Sequence, residues 1–532
     1  MTRRDVDRAD IQAIAKTAFG WLTGASYLLL RVADARAARA WLRTLQPTSI
    51  ADLSSGGVRA QIAEATQIAV TAAGLRALGV GERVVQRFGP EFVEGMAGNE
   101  NRSQRLGDIG ANAPANWRWG VGDREPHVLI MLLAATPARA VALEDKARAA
   151  AERNGLVVAD VRPTSDMGGV EPFGFVDGVS QPSFDWDRAR TPGTKADRAY
   201  TNLLALGELL LGYRNEYGFP AESPVLEEDE RNAALLPQAA HPAGFRDLGR
   251  NGSYLVYREL SQDVRGFWRW IATESARSGV SMESLAESMV GRRLDGAPLT
   301  DFQVGLPLPG VDPHDLDRNG FVFGADPDGL SCPIGAHIRR ANPRTGDAPA
   351  AEDGPIDYLL SMLGLTVRRQ HRPTSSTLPW PDNTTVWPYL RSQDDAIASA
   401  RFHRILRRGR EYGKKIDGAE ALDPSTPDPE TGLQFVCLNA NIARQFEFVQ
   451  GAWLANSKFA ALSGEQDPIL GNREPFPVPP VSAAPQRTDS FTRPGAEPHW
   501  RRSTGLPQFV FVRGGAYFFL PGLAALKWIA RE

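Results

Sequence analysis

Short, almost unbroken apolar runs, each followed by a stretch of helical spacing, recur along the chain and restrict it to a fold in which strands and helices alternate. SYLLLRV (26–32) reads as a buried strand, and DARAARAWLRTL (34–45) behind it carries Ala and Leu at helical spacing with Asp34 as a cap. HVLIMLLAA (127–135) and TPARAVALEDKARAAAERN (136–154) repeat the pair: Thr136 caps, Pro137 suits the first turn, and Asn154-Gly155 stops the helix before the strand LVVADVRP (156–163). Later come SYLVYREL (253–260) before SQDVRGFWRWIATESA (261–276), GLQFVCLNA (432–440) before a helical stretch, and QFVFVRGGAYFFLPG (508–522). This alternation fits two similar α+β halves, and also two unrelated α+β domains; the pattern alone does not decide the topology.

At 532 residues the chain exceeds what one hydrophobic core usually supports, so two domains, or one with large insertions, are expected. Pro-, Gly- and Asp-rich stretches with weak periodicity, above all from Thr345 to about Ser399, read as insertions or long surface loops, and REPFPVPPVSAAP (473–485) as a connector. Sixty Lys and Arg against sixty-three Asp and Glu leave a net charge of −3, which offers no basic footprint for nucleic acid or anionic lipid. Cys332 and Cys437 are the only cysteines, too few for a disulfide framework or a cysteine-rich zinc site. No C-x-x-C-H run exists, which excludes c-type attachment of a prosthetic group. Acidic residues follow the opening arginine pair where an export signal needs its apolar stretch, and the run near Trp21–Leu30 is about half the roughly 20 residues that span a bilayer. A cytoplasmic protein is expected.

Seven histidines, at 127, 241, 314, 337, 371, 403 and 499, form no H-E-x-x-H or other close zinc pair. Taken alone, His337 reads as well as a hydrogen-bonded structural residue. Its neighbourhood alters that: CPIGAHIRRANPR (332–344) resembles the proximal haem motif of the dye-decolorising peroxidases, in which the histidine of the A-H-I-R run binds iron. FGFVDGVSQP (173–182) contains Gly174-Phe175-Val176-Asp177-Gly178, similar to the G-x-x-D-G signature of that family; without the histidine motif, Asp177 is equally an Asx-turn residue. Further blocks agree in order, among them RLGDIGANAPANWRWG (105–120), DLGRNGSYLVYREL (247–260), FVCLNANIARQFEFVQ (435–450) and RGGAYFFLPGL (513–523).

The resemblance implies an α+β fold of two ferredoxin-like domains, antiparallel sheets with helices packed on them, related to the dimeric α/β-barrel superfamily. The N-terminal domain would span 1–215 and carry the G-x-x-D-G motif; the C-terminal haem-binding domain would span 216–532, with insertions at about 277–330 and 345–400. One noncovalent haem b per chain is implied, with His337 as the iron ligand, Asp177 above the ring, and a distal arginine opening an R-R-G run. That run is Arg407-Arg408-Gly409, which makes Arg407 the expected arginine, with Arg368, Arg369 and Arg372 as rivals in the long intervening insertion. Asp467, in EQDPILG, would accept from the other ring nitrogen of His337, although an aspartate before proline is equally a turn former. Leu433 and Phe435 would line the distal pocket or serve as strand core, and Arg339 would pair with a haem propionate or lie in solvent. Trp453 is a candidate electron relay, with core packing as the plainer alternative.

The implied function is a peroxidase that reduces hydrogen peroxide and oxidises small aromatic or dye-like donors through a ferryl intermediate. These residue types suit that chemistry. Neutral imidazole donates to ferric iron, and an acceptor on its second nitrogen raises its basicity. A carboxylate shuttles the peroxide proton and remains a base in acid, where a distal histidine would be protonated, so an acidic optimum is expected. A guanidinium stays cationic and stabilises developing negative charge. The competing class is a non-catalytic haem-binding or haem-handling protein, which needs the ligand but not Asp177 and Arg407; a haem-free α+β binding protein is a third. No nucleic-acid or membrane partner is expected, and a homo-oligomer is compatible with the sequence. The chain stops at LKWIARE with no extension to act as a cargo tag, so it is expected free in the cytoplasm rather than inside a protein shell.

Overall fold

The computed structural model describes residues 6–53, 62–192, 202–300, 318–321, 323, 326, 328–344, 366–367, 384–385, 399–473, 488–494 and 501–531. Its first half runs β1 (Gly24–Val32), α1 (Ala35–Leu42), β2 (Glu64–Val70), β3 (Val128–Ala134), α2 (Pro137–Arg153) and β4 (Leu156–Pro163). The second runs β5 (Ser253–Gln262), α3 (Val264–Ser278), α4 (Met282–Val290), α5 (His337–Ala341), β6 (Leu406–Arg407), β7 (Arg410–Tyr412), β8 (Thr431–Asn439) and β9 (Val510–Leu520). A π-helical stretch, Ala443–Glu447 and Val449–Leu454, lies between β8 and β9.

The caps read from sequence hold these elements in place. The Asp34 side chain accepts from the backbone N–H of Arg36 and Ala37 at the head of α1, and Thr136 accepts from Arg139 N at the head of α2. Past the end of α2, Gly155 sits at φ +73°, and a Cβ there would come within 2.6 Å of Asp34 Cβ, so only glycine closes this corner.

The main strands form one open antiparallel sheet in the order β6-β8-β5-β9-β2-β3-β1-β4, with β7 also on β8. Within each half the order is second, third, first, fourth strand, and a helix follows the first and the third: the ferredoxin-like βαββαβ arrangement, made twice. The halves join edge to edge where Phe519 of β9 pairs with Val70 of β2. Successive side chains of a strand face opposite ways. One face therefore carries Leu28, Leu30, Ile68, Val70, Val128, Ile130, Val256, Leu260, Cys437 and Tyr517 into a core shared with α1 and α3, and the other carries Tyr27, Leu29, Leu129, Met131, Leu255, Tyr257, Val436 and Leu438 into a second core. Burial on both faces is why these strands read as continuous apolar runs instead of alternating ones. No helix among the described residues is long and apolar enough to cross a membrane. Arg368, Arg369, Arg372 and nearly all of the 345–398 insertion lie outside the described residues, as does most of the 473–485 segment.

Candidate active site

His337 is the first residue of the short helix α5, and one residue of that helix fastens it to the rest of the site. Arg340, fully buried, donates from Nη1 to the carbonyls of Trp453 and Asn456 (2.9 and 3.1 Å) and from Nη2 to that of Glu465 (2.7 Å). The segment so held ends in Asp467, which is 0% exposed. Its Oδ1 accepts from Ile469 N (2.9 Å) and Leu470 N (2.7 Å), folding the turn, and its Oδ2 lies 3.0 Å from His337 Nδ1. Aspartate before proline is thus turn former and histidine partner at once, one oxygen for each. A carboxylate only accepts, so Nδ1 carries the proton and Nε2 is left with its lone pair. Burial pushes the His337 pKa down, but the charge and hydrogen bond of Asp467 outweigh it and the net shift is upward. In Asp467 burial pushes the pKa up, and His337 together with Leu470 N turns the net shift downward.

Asp177 comes from the turn after β4. Asp177 N donates to Gly169 O (3.1 Å), Val176 N to Leu294 O (3.1 Å), and Gly174 adopts φ +103° to let the chain reverse. Arg407 reaches it from the sheet edge: Nη1 donates to Asp177 Oδ1 at 2.7 Å, and its backbone N donates to Gln181 Oε1 at 3.0 Å, tying strand and turn together. Strand alternation decides which arginine of the pair serves the site. Arg407 stands opposite Cys437 on β8, on the face that also carries Leu433 and Phe435, whereas Arg408 turns to the other face and donates to Ile14 O. In Asp177 burial pushes the pKa up, the Arg407 charge and hydrogen bond outweigh it, and the net shift is downward.

The side chains of His337, Arg407 and Asp177 keep 27%, 29% and 34% exposure. Asp177 and Arg407 each act electrostatically on His337. Leu433 and Phe435 are half-buried on the same sheet face, with Phe435 6.4 Å from the ring of Phe446. A cavity of about 570 Å³ lined by Phe88, Glu91, His241, Tyr254 and Ile442 includes none of these residues.

Arg339 is not brought into this group. It is 5% exposed, donates to Asp326 Oδ2 (3.1 Å), Asp326 O (2.7 Å) and Cys332 O (2.7 Å), and stacks over Phe323. Arg292, just beyond α4, does feel the charge of Arg407, and it donates to Gly296 O, Arg318 O and Ser180 Oγ. Burial, then the charges of Arg344 and Arg407, push its pKa down to about 9, and among the described residues no carboxylate pairs with it. A free imidazole nitrogen fixed from behind, apolar Leu433 and Phe435, and a buried guanidinium lacking an anion are a donor set that suits a haem with its propionates. Trp453 is 8% exposed and packs edge-on against His403 and Phe448, each at 5.3 Å, a core position more than a surface one.

Among known proteins, the multifunctional dye peroxidase DyP2 of Amycolatopsis sp. is 30% identical to this chain over 386 residues, which are 71% of this chain and 63% of that protein. The dye-decolorising peroxidase msp1 of Mycetinis scorodonius is 27% identical over 492 residues, 89% of this chain and 77% of its own. In sequence the chain is similar to the dye-decolorising peroxidases, although it spans less than two thirds of the first of these relatives. No family model matches it. The fold of this family is found in the crystal structure of the enzyme from Auricularia auricula-judae, which superposes with a TM-score of 0.66 over 99% of this chain and 100% of that one at 21% identity. Asp177 stands in the G-x-x-D-G turn and His337 in the A-H-I-R helix, and although the two are 160 positions apart in the chain, the charge of Asp177 bears on His337. Sequence reasoning missed Arg340, Gln181, Arg292 and Glu171; of these only Arg340 carried a signal, as the second arginine of a pair on a helix of five residues.

Proposed function

We propose that this chain is a haem-dependent peroxidase of the dye-decolorising type that reduces hydrogen peroxide and oxidises small aromatic donors. The observation that carries this is the pairing of Asp177 with Arg407 within electrostatic reach of the paired His337 and Asp467. His337 Nε2 would hold the iron of one noncovalent haem b, with Asp467 fixing the tautomer, Leu433 and Phe435 limiting the space above the ring, and Arg292 rather than Arg339 neutralising a propionate. When bound, the haem supplies the peroxide-binding iron and the two electrons that breaking the O–O bond consumes.

The protein's own groups do the rest. Arg407 donates to Oδ1 of Asp177 and holds its carboxyl below the usual carboxylate range, so Asp177 is ionised and ready to accept a proton. It takes the proton from one peroxide oxygen and returns it to the other, and water leaves. Arg407 stabilises the negative charge that passes over both oxygens on the way. A haem-handling protein would need only His337 and Asp467; the distal pair is the feature such a protein has no use for. A solved structure of a dye-decolorising peroxidase, similar to this chain in fold, is a complex with 2,6-dimethoxyphenol, which makes methoxyphenols the first donors to assay. A domain division near residue 215, between the last strand of the first half and the first of the second, and a cytoplasmic location complete the proposal.

The test is one equivalent of peroxide added to the haem-loaded protein while the Soret band is followed. The wild-type band should shift within milliseconds to seconds and return on adding 2,6-dimethoxyphenol, and the shift should be slowed in Asp177→Ala and Arg407→Leu. A haem-loaded wild type whose spectrum ignores peroxide would point to haem handling instead.

A further inference from the structure

Glu171 lies six residues before Asp177 in the same turn, and neither the family motif nor the reaction uses it. Its side chain does three things at once. Oε2 accepts from Phe173 N (3.1 Å) and from Gln262 Nε2 at the end of β5 (2.8 Å), and Oε1 accepts from Phe175 N (3.1 Å). Its backbone closes the same loop, with Glu171 N donating to Phe175 O (2.8 Å) and Gly174 N to Glu171 O (2.8 Å). A carboxylate in this position replaces the cross-strand bonds that a turn of only a few residues cannot make for itself, and an otherwise orphaned pair of buried N–H groups is satisfied. Phe173 and Phe175, whose amides it holds, are 2% and 3% exposed, and Phe173 packs on Phe267 of α3 at 4.6 Å. The turn is thereby fastened at its base to β5 and α3, and Asp177 follows two residues later. Among the described residues no arginine or lysine pairs with Glu171, so it is not there to neutralise a charge; burial, opposed by these bonds, pushes its pKa up to about 7.

We propose that Glu171 is a positioning residue for the peroxide reaction: its carboxyl group, shared between the amides of Phe173 and Phe175 and anchored to Gln262, folds the turn that aims Asp177 at the space opposite His337. This rests on the proposed peroxidase function. Glutamine is nearly isosteric but has one oxygen where the turn needs two, so Glu171→Gln sets an NH2 group against a backbone N–H and releases one side of the turn. A displacement of an ångström in a proton-transferring group costs up to about a hundredfold in rate.

The experiment is a double-mutant cycle on the haem-loaded protein with Glu171→Gln, Asp177→Asn and the pair, reading the second-order rate constant with peroxide and, independently of turnover, the affinity of the ferric protein for cyanide, whose proton the distal base must take up. Expected are a roughly ten- to hundredfold loss in E171Q alone, weaker cyanide binding, and no further loss when E171Q is added to D177N. A wild-type peroxide rate in E171Q, or an equal loss in both backgrounds, overturns the role, because a merely structural residue would harm D177N as much as wild type. Should E171Q not fold, Gln262→Met, which removes only the anchor, must lower the wild-type rate and leave that of D177N unchanged; otherwise the role is overturned. A wild type inert to peroxide would instead refute the peroxidase function on which the cycle is built.

Discussion

Replacing Asp467 by Asn should loosen the haem without unfolding the site. In the wild type the two carboxyl oxygens have separate duties: Oδ1 serves Ile469 N and Leu470 N, and Oδ2 serves His337 Nδ1 at 3.0 Å. Asparagine has one oxygen. If it stays with the two backbone amides, the NH2 group faces Nδ1, and His337 must accept there and move its proton to Nε2, the nitrogen meant for iron. If the amide flips, two buried N–H groups lose their acceptor in a residue that is 0% exposed. Either way a charge-assisted hydrogen bond of about 1.5–3 kcal/mol is forfeited. That converts to about a ten- to hundredfold weaker haem affinity, also the range that partners of metal-bound histidines command. Haem titration followed at the Soret band, with transfer to an apo-globin for the off-rate, measures it, and the iron midpoint potential should rise because the imidazole has lost its anionic partner. Unchanged haem affinity and unchanged potential in Asp467→Asn would show that the Asp467–His337 bond does not support haem binding.

Two further outcomes follow from the same geometry. Because Arg407 holds the Asp177 pKa below its ordinary value, the base stays ionised as pH falls; in Glu171→Gln, where the group that titrates near 7 is removed, the remaining peroxide rate constant should persist from neutrality down to pH values near or below the ordinary carboxylate pKa of 3.8, and a stopped-flow profile of that variant that collapses just below pH 7 with haem still bound would contradict this. Arg408→Leu should leave the peroxide reaction intact while lowering the melting temperature, because its guanidinium serves Ile14 O on the far face, whereas Arg407→Leu should slow peroxide by about a hundredfold or more; equal peroxide effects would show that strand alternation had been read wrongly.

The parts of this fold that were legible before the structure are those written in local chemistry. Leu28–Leu30 and Val128–Ala134 are apolar on both sides because both sides are covered, and Asp34 and Thr136 sit where a helix needs an acceptor. The joining of the halves was not legible, for it rests on an edge contact at Phe519 and Val70 that any two apolar strands could make. At the candidate site, His337, Asp177 and Arg407 were singled out by motifs, and Asp467 by its place in the family pattern. Arg339 read as a propionate partner or a solvent-exposed arginine; the short helix turns it into the Asp326–Cys332 loop, a contact between segments whose approach no local pattern announces. Glu171 and Arg292 escaped notice for the same reason: their partners, Gln262 and Ser180, lie 91 and 112 positions away.

Whether the Nε2 atom of His337 binds haem iron is read from the resonance Raman spectrum of the ferrous, haem-loaded protein. An iron–imidazole stretching band is expected that shifts with histidine labelled by nitrogen-15, disappears in His337→Ala, and moves to lower frequency in Asp467→Asn. The same band, unchanged, in His337→Ala would contradict that ligation.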